Sequence, residues 1–229
     1  ICTTKYNEGL LNSGISRLAS RDLADALLSN VTSDIQRTYG IWNKRQIYDR
    51  NYSETRVPGV PSTILETMSH QNFPDMRYGQ DPNFKFTFAR SIYKTLLKYV
   101  SEQHGRPYTV TPLSPNNFRI EMNDNGLATL SWEPTIDELE STSTPTGYII
   151  YTKHSGYGYD NGTLIKKACN YRLQLKPNVL YSFKVAAVNE GGQSFTTEEL
   201  CALYNPKASK NILIVNGFNR LSPPAIIDN

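Results

Sequence analysis

The apolar rhythm of this chain changes once, across a proline-rich stretch, and that change restricts the fold more than any other feature. Ahead of it the apolar residues recur every fourth position. Over residues 17–38, Leu23, Leu27, Val31 and Ile35 form one stripe of an amphipathic helix, with Arg21, Asp25 and Asp34 elsewhere on the wheel. A second helix is predicted from about Asn83 to Val100, where Phe84, Phe88, Ile92, Leu96 and then Tyr99 or Val100 repeat in the same way. Between the two, residues 57–66 read VPGVPSTILE. Pro58, Gly59 and Pro61 punctuate that run, and Thr63, Ile64 and Leu65 form a short apolar strand that ends on Glu66. Helix, strand and helix amount to a partial α/β layer.

Residues 103–115 hold Gly105, Pro107, Pro112 and Pro115, and proline removes backbone donors and restricts its predecessor, so regular structure lapses there. Beyond lie short alternating runs at 117–122, 127–132, 147–153, 163–169, 171–175, 180–188 and 193–203. Seven short strands at regular spacing predict a β-sandwich. The fold class expected is therefore α+β with two domains: a partial α/β layer over 1–106, then an all-β sandwich over 107–206. Residues 207–229 are left as a tail or the first strand of a further domain. Their run Ile212, Leu213, Ile214 and Val215 suits a buried parallel strand, but no crossover follows it.

Charge and composition exclude some functions. Basic residues number 14 against 10 acids up to residue 106, and 10 against 11 beyond, so neither half has the footprint of a nucleic-acid binder. No apolar run approaches the roughly 18 residues that a membrane span needs. Cys2, Cys169 and Cys201 are too few and too scattered for a metal cluster or a disulfide scaffold, and free thiols are expected over a Cys169–Cys201 bridge.

Two resemblances follow from particular residues. The stretches WEP, GYIIYTK and LKPNVLYSFKVAAVNEGGQS, with Trp132, Tyr148, Leu175, Tyr181, Val185, Ala187, Asn189, Gly192 and Ser194, resemble a fibronectin type III domain across residues 107–206. That resemblance implies a module that spaces, orients or docks its neighbours, with no catalytic site of its own. The loop Ser155, Gly156, Tyr157, Gly158, Tyr159, Asp160 adds tyrosines that could stack on sugar rings, although glycine and tyrosine at a hairpin tip are also ordinary turn chemistry.

The segment VPSTILETMSHQN, with the helices on either side of it, resembles the C-terminal half of the zinc-dependent N-acetylmuramoyl-L-alanine amidases. A carboxylate at the end of a buried strand is where α/β layers tend to meet ligands. The match makes Glu66 the catalytic carboxylate, polarising a zinc-bound water and acting as general base on the lactyl amide of peptidoglycan. His70 and Asn72, on the same rim, are the candidate substrate-binding residues. Structural readings stand beside these: a carboxylate paired with Arg56 or Arg77, and an ordinary loop histidine.

The family's zinc ligands have no counterpart here. The histidines are His70, His104 and His154, with His104 in the linker and His154 in the sandwich, so zinc is expected in a complete parent protein and not in this chain. The order of the parts resembles bacterial envelope proteins often labelled xanthan lyase, although nothing in the sequence resembles the catalytic residues of a polysaccharide lyase. Two functions follow: part of a cell-wall hydrolase, or a non-catalytic scaffold or wall- and carbohydrate-binding module. Either places the protein in the periplasm or at the cell surface, with peptidoglycan as partner. About 105 residues of partial α/β layer leave an exposed sheet edge. That edge packs on the sandwich or is covered by a second copy in a homodimer.

Overall fold

A computed structural model describes residues 1–215, which divide into two compact units between Pro107 and Tyr108. The fold class is α+β, with a helical first unit and an all-β second one. Among the described residues no helix is long and apolar enough to cross a membrane.

In the first unit, α1 (Leu18–Tyr39) buries Leu23, Ala24, Leu27, Val31 and Ile35, the stripe that the four-residue spacing predicts. It stops at Gly40, whose φ of 85° lies in the left-handed region that glycine enters without a Cβ clash. A single turn, α2 (Ser53–Arg56), and then α3 (Phe73–Gln80) precede α4 (Pro82–Gln103). Asp81 caps α4 by accepting from the Asn83 amide, and Pro82 occupies its first turn, where a missing donor costs nothing. Tyr39, Trp42, Tyr78, Phe84 and Phe88 close the core with ring centroids 5.1–5.8 Å apart.

The structure differs from the sequence reading at three places in this unit. On α4, Leu96 is 40% exposed, while Ser91, Lys94 and Thr95 are buried. The buried face there is polar because Asp34 of α1 stands opposite, bound by both Ser91 Oγ (2.7 Å) and Lys94 Nζ (2.9 Å). The expected strand at Thr63–Leu65 is reduced to one β-type pair: Ile1 and Ile64 exchange both backbone bonds, at 2.8 and 2.9 Å. A ladder needs a continuing neighbour, and residue 1 supplies only this rung. A buried arginine is the third surprise. Arg17, 1% exposed, donates from Nε to Leu10 O (3.0 Å), from Nη1 to Thr55 O (3.2 Å) and from Nη2 to Arg56 O (2.8 Å).

The second unit is a sandwich of two antiparallel sheets. One has the order β1 (Asn116–Met122), β2 (Leu127–Glu133), β5 (Asn170–Gln174). The other has the order β4 (Thr163–Lys166), β3 (Gly147–His154), β6 (Leu180–Asn189), β7 (Gly192–Thr196), with β8 (Leu200–Leu203) also on β6. Ala128, Leu130 and Trp132 point inward from β2, meeting Tyr148 and Ile150 of β3 and Phe183, Val185 and Ala187 of β6. The period of two along each strand puts these residues on one face.

The run predicted as a single strand over 193–203 is broken into β7 and β8. At the break Thr197 keeps the ladder alive: its amide donates to Val185 O (2.8 Å), and its hydroxyl accepts from the Val185 amide (3.0 Å). Gly126, at φ 77°, lies directly under the Tyr204 ring, where a Cβ would collide.

Past β8 the described residues carry no further strand. Ile212, Leu213, Ile214 and Val215 are 78–89% exposed and join no ladder among the described residues. The rest of the tail, 216–229, lies outside the described residues. All three cysteines are free thiols.

Candidate functional site

The first unit contains a groove of about 960 Å³. One face of α1 forms its floor through Ala24, Leu27, Leu28 and Val31, and residues 41–48 and 63–70 form its two rims. The floor is apolar because Leu27 and Val31 belong to the buried stripe of α1. The rims carry charge, with Lys44 and Arg45 on one and Glu66 and His70 on the other, and Asp75 of α3 adds a carboxylate beyond them.

Glu66 is exposed and makes no ion pair among the described residues. Arg56, one of its suggested partners, is engaged elsewhere, donating to Asn51 Oδ1 (3.1 Å) and lying over the Tyr6 ring (5.4 Å). His70 is also exposed, at the turn that leads into α3. Asn72 has a different occupation. It is the cap of α3, its side-chain oxygen accepting from the Asp75 amide (3.5 Å), and it does not line the groove. Asp75 does line the groove, but its Oδ2 accepts from the Ser69 amide at 2.8 Å. The loop–helix junction thus consumes one carboxylate and leaves Glu66 and His70 as the groove's uncommitted acid and imidazole.

Among the described residues no group of three or more His, Cys, Asp and Glu side chains is placed to hold a metal. The side chains present therefore do not fit the three-ligand zinc centre that the amidase resemblance implies.

The tyrosine loop of the sandwich is less open than its sequence suggests. Tyr159 donates to Glu199 Oε2 (2.6 Å), and its ring faces Lys184 Nζ at 4.2 Å and Lys153 Nζ at 4.9 Å. Lys153 Nζ donates to both Glu199 oxygens, at 2.9 and 3.2 Å. The bonds from Tyr159 and Lys153 hold the Glu199 carboxyl down at about 2, whereas burial and the Glu199 contact push the Tyr159 phenol well up. Only Tyr157, 71% exposed and tilted against the His154 ring with centroids 4.5 Å apart, presents a ring to solvent from this loop. Nothing in the sequence flagged Glu199, because its partners lie 40 and 46 residues away.

A family model described as the fibronectin type III domain matches residues 113–201. Among solved structures, one described as a myokine is 19% identical, with 42% of this chain and 99% of that one covered and a TM-score of 0.35. The twitchin kinase region from C. elegans is 24% identical over 44% of this chain and 18% of its own, with a TM-score of 0.37. The FN5 domain of Drosophila Lar is 19% identical over 42% of this chain and 98% of its own, with a TM-score of 0.33.

Proposed function

We propose that the chain is a non-catalytic scaffold and binding module of a bacterial envelope protein, with the sandwich as spacer and peptidoglycan as the polymer it contacts. The observation that supports this most is the poverty of the groove. Among the described residues Glu66 and His70 are its uncommitted acid and imidazole, and the second unit, matched by a fibronectin type III model, fits a spacing or docking role. Enzymes of the amidase kind need a metal, its ligands and a base held together; a carboxylate and an imidazole on a loop rim supply at most the last.

Exposure of Glu66 on the groove, with no ion pair among the described residues, favours a second reading. In it the groove belongs to a cell-wall hydrolase of the periplasm or cell surface that cleaves the muramoyl–alanine amide, and this chain contributes Glu66. The described side chains do not fit a zinc centre, so in this reading the metal's ligands lie outside them.

Purified murein sacculi separate the readings. The scaffold reading expects the chain to sediment with sacculi and to release no peptide, with or without added zinc. Zinc-dependent appearance of new alanine amino termini, abolished in Glu66→Ala, would overturn it in favour of the hydrolase. Absence of the chain from the sacculus pellet would remove peptidoglycan as its partner.

A further inference from the structure

The loop between β3 and β4 ends on Asn161 and Gly162. Glycine is imposed at 162, because a Cβ there would collide with Ile149 and press on the Tyr151 ring. Asn161 beside it is exposed, and its side chain makes no hydrogen bond among the described residues. That pairing carries a chemical liability. Glycine has no side chain to shield its amide nitrogen, so once a solvent base removes the N–H proton the nitrogen can attack Cγ of the asparagine before it. A C–N bond forms, the side-chain nitrogen leaves as ammonia, and a succinimide ring remains. Water opens that ring at either carbonyl, leaving aspartate or, with the chain rerouted through the β-carbon, isoaspartate. The net exchange is one water taken up for one ammonia released.

The fold occupies the proton that this reaction must remove. Gly162 N donates to Asp160 Oδ1 at 3.0 Å, and the same oxygen accepts from the Thr152 amide, also at 3.0 Å. The Asp160 amide in turn donates to Thr152 O at 2.9 Å, so backbone and side chain of Asp160 are both tied to β3. A bond from an amide to a carboxylate is roughly twice as strong as one between neutral groups. The anion also opposes the negative charge that deprotonation of Gly162 N creates. We propose that Asn161 is a latent site of spontaneous modification and that Asp160, acting through the Gly162 amide, is the residue that holds it unmodified. This holds whether or not the chain contacts peptidoglycan.

Modification reaches beyond residue 161. Aspartate there sets a second negative charge beside Asp160, and isoaspartate adds a backbone carbon just ahead of Gly162, where the chain passes close under Ile149 and Tyr151. Either product weakens the anchor of residues 155–160, the segment that brings Tyr159 to Glu199 (2.6 Å) and its ring against Lys184 and Lys153. The same dipeptide recurs at Asn125–Gly126, on the turn between β1 and β2, where the Gly126 amide donates to a neutral carbonyl, Asn123 O, at 3.0 Å. Asn125 thus provides a reference within the same chain that Asp160 does not touch.

Deamidation of the whole chain is followed at mildly alkaline pH. Trypsin then releases peptides 120–153 and 154–166, which carry Asn125 and Asn161 separately, and mass spectrometry with isoaspartate-specific methylation measures the product in each. Asn161 is expected to convert roughly tenfold more slowly in the folded parent than in the chain unfolded in urea, the factor that one charge-assisted bond supplies. Asp160→Ala should remove most of that protection. Asp160→Asn, which keeps the acceptor without the charge, should remove part of it. Neither should alter conversion at Asn125 or strand circular dichroism. Tyr159→Phe releases the loop from Glu199 but leaves the Asp160–Gly162 bond, so Asn161 should stay protected in it. Equal conversion of Asn161 in the folded and unfolded parent would overturn the proposal, as would protection that survives Asp160→Ala. So would a Tyr159→Phe chain that converts as fast as Asp160→Ala, since general loosening of the loop would then set the rate.

Discussion

Lys94 of α4 reaches Asp34 of α1 across 2.9 Å, with the two side chains only 6% and 14% exposed. Ser91 Oγ adds a 2.7 Å bond to the same carboxyl, so two polar side chains of α4 converge on one acid of α1. Such a pair need not add stability over an apolar replacement, but removing one partner leaves the other charge desolvated.

Asp34→Ala is therefore expected to destabilise the first unit by about 3–5 kcal/mol, the usual cost of breaking a buried pair. Asp34→Leu combined with Lys94→Met should recover most of that loss. Urea unfolding followed by helical circular dichroism measures both. A double variant as unstable as the single would show that packing volume, and not charge, governs the contact.

The Tyr159–Glu199 bond makes an opposite-signed pair of pH limits. Glu199 is held below its unfolded value, so its contribution is complete above the ordinary carboxylate range and fades only as pH falls through about 2. Tyr159 is raised, so its contribution is complete below the ordinary phenol range and is lost as the solution becomes more alkaline than that. Carboxyl NMR should find Glu199 still ionised at a pH where other glutamates have half protonated. In Glu199→Gln the Tyr159 phenolate absorbance should emerge at lower pH than in the parent. An unchanged phenol titration would mean that burial alone sets it.

Arg17 has no carboxylate partner among the described residues and is held by the carbonyls of Leu10, Thr55 and Arg56 and by the Tyr6 face at 5.2 Å. Arg17→Met keeps the buried stem but orphans those carbonyls, at about 1–3 kcal/mol each where water cannot reach them. The expected result is a large loss of first-unit stability and faster proteolysis near residues 53–57. Arg17→Lys should rescue only part of it, because one ammonium cannot follow the fork to three oxygens.

How much of this was legible depends on whether the signal was local. The α1 stripe, the inward face of β2 and the Trp132 and Phe183 core could be read because periodicity is a property of neighbours in sequence. The polar face of α4 could not be, since Lys94 is buried only by virtue of an acid 60 residues earlier. The same holds for Arg17 and for Glu199, whose partners lie across 38–39 and 40–46 residues. Glu66 and His70 could be singled out as neighbours on one rim, but their freedom from partners is a tertiary fact. α3 was missed although Asn72 followed by Pro74 is a helix-start pattern, because its eight residues show no apolar stripe.

That helix begins at the last of the sequence's candidate residues. Asn72 caps α3 through Asp75, whose own carboxyl in turn fixes the Ser69 amide, so the pair ties the His70 turn to the helix end. Asn72→Ala is expected to cost about 1 kcal/mol, the usual worth of an N-cap, and Asn72→Ser or Asn72→Asp to restore most of it. If the proposed contact with peptidoglycan runs through His70, sedimentation with sacculi should follow the same order, because the substitution loosens the turn that carries it. If Asn72→Ala abolished that binding with no change in the unfolding midpoint, and Asn72→Asp failed to restore it, the amide would be touching the polymer itself, and its assignment as a cap would be incomplete.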